Sequence, residues 1–272
     1  MPEREVSAAT RHLTRRQRRE LRHGSYGLTP SISTVAGRPV RSLTAGVIDT
    51  LPEIVMVPGL GAPGYLAPLA RKSSAWTRTT VLDLPGWKGG RAVSCPPTLD
   101  GVGVSTARWL EQTNRHDVIL LGHSTGAQSV LRTALLVPDR VVGVVLAGPT
   151  FDPDARTIPT LLRRLLRTIP REAPAELPTA GPSYLSSGGL PLVRFLLSAL
   201  PDQPEQLIVQ LPMPALVITG EHDGFAPPGW AGRLAQLGSA PLRIIPGAHN
   251  ACFPHPEEAD TALHAWASRL RH

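Results

Sequence analysis

Gly122-His123-Ser124-Thr125-Gly126 is the stretch on which the reading of this chain turns. It follows residues 117–121, Asp-Val-Ile-Leu-Leu, a short apolar run of strand type, and it opens residues 125–136, which have helical spacing. A serine between glycines at a strand-to-helix junction sits on a sharp, strained turn, and glycine on either side lets neighbouring chain pass close. The turn lifts the hydroxyl above the sheet, at the positive end of the following helix. Ser124 is therefore the candidate nucleophile.

Outward from this elbow, apolar runs alternate with helical patterns. Residues 31–36 and 39–45 are expected to form a hairpin around a Gly37-Arg38 turn. Strands are also expected at 53–57 (Glu-Ile-Val-Met-Val), 79–84, 117–121, 141–147, 215–219 and 242–245. Continuous apolar runs of this kind suit strands buried on both faces, as parallel sheets require. Helical spacing at 65–71, 99–112, 125–136, 230–237 and 257–270 fills the gaps. The expected class is α/β, a mostly parallel eight-stranded sheet with helices on both faces and an antiparallel edge.

Residues 149–213 interrupt the alternation. Leu161, Leu162, Leu165, Leu166 and Ile169, with Arg163, Arg164 and Arg167 between them, describe an amphipathic helix. A second apolar segment runs from Leu190 to Leu200, with Pro191 at its start. The expected organisation is a basic tail at 1–24, a core at 25–148 and 214–272, and a small helical cap inserted at 149–213.

A serine needs a base, and the base needs a third group to hold it. Behind an elbow of this type the partners follow in the order acid, then histidine. Gly220-Glu221-His222-Asp223 follows one expected strand, and Pro246-Gly247-Ala248-His249 follows the next. Loops at the C-terminal ends of neighbouring parallel strands converge, where such sheets place ligands. His249 is thus the candidate base and Asp223 its carboxylate. Asp152, Asp154 and Glu221 remain alternative acids, and His222 and His255 alternative bases; His123 is expected to pack beside the elbow.

The oxyanion of an acyl-transfer intermediate needs two N–H donors. The backbone N–H of Thr125, the residue after the nucleophile, is one candidate. The other lies in the glycine-rich loop Pro58-Gly59-Leu60-Gly61-Ala62-Pro63-Gly64, where the Leu60 N–H is best placed. No lysine follows in the manner of a phosphate-binding loop.

Composition agrees with a globular protein rather than a disordered one. The 272 residues are 42% hydrophobic and 18% charged, with a net charge of +7. Residues 1–24 hold seven arginines against three glutamates, so +4 of that charge lies there. The rest is nearly balanced, unlike a nucleic-acid enzyme with basic surface across its body. No apolar run approaches the roughly 18 residues needed to cross a bilayer, and the polar stretch 1–24 has no apolar run resembling a secretion signal, so none is expected. A cytoplasmic location, no membrane insertion and no nucleic-acid partner are expected. Cys95 and Cys252 make no metal-like spacing, and no metal or cofactor is expected.

Together with Asp83-Leu84-Pro85-Gly86-Trp87, these motifs resemble, in order and spacing, a capped member of the α/β-hydrolase fold superfamily over residues 30–272. The resemblance implies a serine hydrolase acting through Ser124, His249 and Asp223 on a small apolar carboxylic ester or lactone. Thioester, amide or carbon–carbon hydrolysis, a cofactor-free perhydrolase or lyase, and a non-catalytic receptor share the scaffold. The chain departs from relatives in having Pro58-Gly59 where many have His-Gly, which changes the support around the oxyanion loop. A serine rather than an aspartate at the elbow argues against dehalogenase and epoxide hydrolase chemistry. Apolar cap helices are expected to roof an apolar pocket.

Overall fold

Thr29–Val35 (β1) and Arg38–Ala45 (β2) pair antiparallel, with Val35 opposite Arg38. The turn residues are thus Ala36 and Gly37, both with positive φ (47° and 76°), as a tight two-residue hairpin demands. The expected Gly37-Arg38 turn is shifted by one residue. This computed structural model describes residues 26–172 and 177–270, so the expected basic tail at 1–24 lies outside the described residues.

The remaining strands are β3 (Ile54–Val57), β4 (Thr79–Asp83), β5 (Trp87–Lys88), β6 (Arg91–Ala92), β7 (Val118–His123), β8 (Val141–Ala147), β9 (Ala215–Gly220) and β10 (Leu242–Ile245). Eight form one sheet in the order β1-β2-β4-β3-β7-β8-β9-β10, parallel from β4 onward. The eight-stranded, mostly parallel α/β sheet is as expected. The two-residue strands β5 and β6 pair only with each other, and are too short to leave a periodic signal.

The helices are α1 (Ala67–Ser73), α2 (Leu99–Gln112), α3 (Thr125–Leu136), α4 (Ile158–Thr168), α5 (Leu177–Ser186), α6 (Leu190–Ala199), α7 (Pro204–Ile208), α8 (Pro228–Leu237) and α9 (Pro256–Ala267). Successive side chains of the central strands go to opposite faces. Val55, Val57, Leu120 and Val144 meet Trp109 of α2, Val130 and Leu131 of α3, and Leu234 of α8. Ile54, Met56, Ile119, Leu121 and Val145 meet Leu69 of α1 and Leu263 and Trp266 of α9. Each buried strand therefore serves two cores, which is why its sequence is apolar throughout.

Among the described residues, four helices, α4 to α7, lie between β8 and β9, against two expected from spacing. α5 was hidden by the proline inside it, Pro182. The orientation of α4 also differs from expectation. Only Leu161 of its leucines is buried, while Leu162, Leu165, Leu166 and the following Ile169 face solvent. Polar contacts set this orientation. Arg164 pairs with Asp152 and donates to Gly224 O (3.3 Å), and the Thr168 side chain lies close against Gly224.

At the other end of the sheet, Glu53 enters β3 with 2% of its side chain exposed. Its carboxylate accepts from Arg78 Nη2 (2.6 Å), Thr80 Oγ1 (2.7 Å) and Arg115 Nη1. Removing one member of a buried charge cluster strands the others. Glu53→Ala should cost about 3 kcal/mol, the low end for such losses because Arg78 stays one-third exposed. Urea unfolding should show a lower midpoint with an unchanged slope.

Candidate active site

β7 runs straight into the elbow. Ser124 has φ 56° and ψ −125° and stands at the N-cap of α3. A Cβ on Gly126 would lie 2.2 Å from Val57 O, and one on Gly122 would lie 2.3 Å from Gly126 O. Glycine at both positions is therefore a steric requirement of β3, β7 and α3 meeting there. As the first residue of α3, Thr125 has an N–H with no partner inside the helix.

The loops after β9 and β10 are tied together by backbone bonds from Glu221 N to Ile245 O (2.9 Å) and from His222 N to Gly247 O (3.0 Å). They bring His249 between Ser124 and Asp223. His249 Nε2 lies 2.8 Å from Ser124 Oγ, and Nδ1 lies 3.0 and 2.9 Å from the two Asp223 oxygens. Asp223 Oδ1 also accepts from the Phe225 and Ala226 amides, each at 2.8 Å. Burial by itself would raise the Asp223 carboxyl. The His249 imidazole beside it, their hydrogen bond and the two amides together outweigh that and hold it below the usual carboxylate range.

The rival residues are engaged elsewhere. Asp152 Oδ1 caps the following turn through Ala155 N (2.9 Å), and Oδ2 holds Arg164. Asp154 is exposed. Glu221 and His222 are exposed and lie 3.6 Å from one another, and His255 faces Glu258 at 3.7 Å. His123 is buried, which with the neighbouring His249 pushes its pKa down to about 3. A neutral ring facing the His249 carbonyl donates from Nε2 (2.9 Å), leaving Nδ1 to accept from Tyr65 Oη (2.9 Å). The His123 ring is thus held at both nitrogens.

The glycine-rich loop after β3, the candidate oxyanion loop, is held from three sides. Leu60, with φ 47°, donates its N–H to Thr125 Oγ1 (2.9 Å), and its carbonyl accepts from Trp87 Nε1 (2.8 Å). Gly59 N–H donates to Tyr65 Oη (2.5 Å). A Cβ on Gly59 would stand 2.6 Å from Ser124 Cβ, so glycine alone lets the loop come this close to Ser124. Tyr65 and Trp87 supply the support around Pro58-Gly59. Among the described residues, no group of three or more His, Cys, Asp or Glu side chains is arranged to hold a metal.

The alpha/beta hydrolase family profile matches residues 54–264. This chain belongs to the alpha/beta hydrolase family. No curated protein matches it in sequence. Among solved structures, a putative lipase from Acinetobacter baumannii is similar at a TM-score of 0.76 and 18% identity, covering 95% of this chain and 97% of that one. A thermophilic esterase from Thermogutta terrifontis matches at 0.69 and 16% identity, covering 90% and 100%. An enol-lactonase from Burkholderia xenovorans matches at 0.68 and 18%, covering 88% and 100%. At such identities the likeness is one of fold.

Three residues of this hydrolase's site carry no sequence signature of their role. Tyr65 links Gly59 to His123, and Trp87 closes the Asp83–Trp87 motif without its spacing pointing to Leu60. Glu172 reaches over from the stretch between β8 and β9. Its carboxylate accepts from His249 N (2.9 Å) and Asn250 N (3.2 Å), and burial raises its pKa against the opposing pull of His249. No helix among the described residues is long and apolar enough to cross a membrane.

Proposed function

We propose that this hydrolase cleaves a carboxylic ester or lactone bearing a hydrophobic group, through an acyl-enzyme on Ser124. The observation that carries this reading is the hydrogen-bonded line Ser124 Oγ–His249 Nε2 and His249 Nδ1–Asp223 at the head of α3. His249 Nε2 takes the hydroxyl proton as Oγ bonds to the substrate carbonyl carbon. The carbonyl oxygen becomes the oxyanion and takes the Thr125 amide; the Leu60 amide joins it only by giving up its bond to Thr125 Oγ1. Collapse breaks the bond to the leaving oxygen, which takes the proton from Nε2–H. Water then repeats the sequence, releasing the acid and restoring Ser124. Asp223 keeps Nδ1 protonated and stabilises the imidazolium. No step calls for a metal or cofactor.

Residues 149–213 serve in this reading as a cap. α6 lies against α2, α3 and the Gly59–Gly61 turn, and its Leu192 and Leu196 join Leu60 at the edge of the core. These three are the proposed apolar wall for the acyl or alcohol group. One methylene in such a pocket is worth about 1–3 kcal/mol, so Leu196→Trp should reorder preference among acyl chain lengths by roughly tenfold or more. Leu166→Trp, on the solvent side of α4, should leave the profile flat. A p-nitrophenyl ester series and a small lactone panel test both the reaction and the pocket. A fluorophosphonate should label Ser124 alone; labelling elsewhere, or no turnover of any ester or lactone, would overturn the proposal.

A further inference from the structure

Helix α4 turns its apolar stripe away from the protein. Ile158, Leu162, Leu165 and Leu166 stand at i, i+4, i+7 and i+8, which is one face of a helix, and Ile169 in the next turn extends it. All five are exposed, Leu166 at 73%. The buried edge is instead the mixed one, with Leu161, Thr168 and the anchored Arg164. A helix packed on a globular core ordinarily buries its apolar face. Leu185, Leu190, Val193 and Leu197 add exposed apolar surface to α5 and α6.

Charge says what fits this face. From 156 to 171 the chain has five arginines and no acidic residue. Arg156 and Arg164 are paired with Glu205 and Asp152. Arg163, Arg167 and Arg171 are exposed, and no carboxylate among the described residues pairs with them. A second copy meeting the face isologously would set arginine against arginine. Residues 1–24 would bring a further +4. An anionic surface with an apolar interior satisfies both halves.

We propose that α4 docks this hydrolase on an anionic lipid bilayer, with its leucine stripe in the acyl boundary and its arginines on the lipid phosphates. This is the arrangement of an interfacial amphipathic helix, lying in the surface without spanning it. The anchoring of Arg164 and Thr168 at Gly224 sets the docked face beside the loop that carries Asp223. The proposal does not depend on the triad reading.

The test is co-sedimentation of the full chain carrying Ser124→Ala, so that no lipid is consumed. Binding to mixed phosphatidylglycerol and phosphatidylcholine vesicles is expected, with weak binding to phosphatidylcholine alone. Leu162→Asp with Leu166→Asp should lower partition on the anionic vesicles about tenfold or more, and Arg163→Gln with Arg167→Gln should do likewise and flatten the salt dependence. The same pairs in the active chain should leave kcat/KM on a monomeric soluble ester unchanged, which also shows that they fold. Undiminished vesicle binding by both variants would place the attraction in residues 1–24 and overturn the proposal. So would absence of binding by the parent chain, or self-association that the leucine variant abolishes.

Discussion

Ser124→Ala lowers kcat by roughly a million-fold on any ester the protein turns over, as loss of a triad nucleophile does. The size follows from the geometry. Ser124 Oγ lies 2.8 Å from His249 Nε2, and it stands where α3 begins and the Thr125 amide has no partner inside the helix. Without it, His249 can still activate water, but no covalent intermediate divides the reaction. What survives is the roughly 10³–10⁴-fold over water that donors and binding alone provide. The alanine occupies the same left-handed turn, so the thermal midpoint should move little and the loss is chemical. Stopped-flow with a p-nitrophenyl ester checks it, since the wild type should show a burst of nitrophenol that the variant lacks. An undiminished steady-state rate in the variant would remove Ser124 from the reaction.

Asp223→Asn should cost roughly 10⁴ in kcat by reversing the imidazole tautomer. The Phe225 and Ala226 amides both donate to Oδ1, so the asparagine oxygen must take that place and its NH2 must face His249 Nδ1. Nδ1 then accepts, the ring proton moves to Nε2, and Ser124 loses its base. Asp152→Asn keeps the Ala155 contact and should leave kcat close to that of the wild type, because Asp152 serves Arg164. Equal losses from both substitutions would contradict the assignment. The depressed Asp223 carboxyl also contributes stability that is fully present above its unfolded value of about 3.9. That contribution is lost as pH falls through the lower folded value. Between wild type and Asp223→Asn, the stability difference should therefore shrink in strong acid.

The parts of this hydrolase that were legible share one property: they are short-range patterns. The six-residue strand before the elbow is apolar because both its faces are covered, and that density is visible in any buried parallel strand. Gly122 and Gly126 mark the elbow because no side chain fits against Val57 O and Gly126 O. Asp223 and His249 stand just past neighbouring strands, so a topology of parallel strands with right-ordered loops brings them to one edge. By contrast β5 and β6 are too short to show a period, and α5 conceals itself behind Pro182.

What the amino-acid order determined by itself was the sheet, the sharp turn at Ser124 and the placing of Asp223 and His249 just past neighbouring strands, since these depend on local spacing and the order of strands. The tertiary structure alone decided what depends on contacts between distant segments. Tyr65 reaches His123 across 58 positions and Glu172 reaches the His249 amide across 77. Among seven candidate acids and bases, contacts with Ala155, Arg164, Glu221 and Glu258 and the exposure of Asp154 set five apart from Asp223 and His249. The α4 stripe is the clearest case. Helical spacing says that one face is apolar, but which face meets the protein is settled by the side chains across from it. Here Asp152 and the Gly224 carbonyl claim Arg164, and Leu162, Leu165 and Leu166 are left exposed.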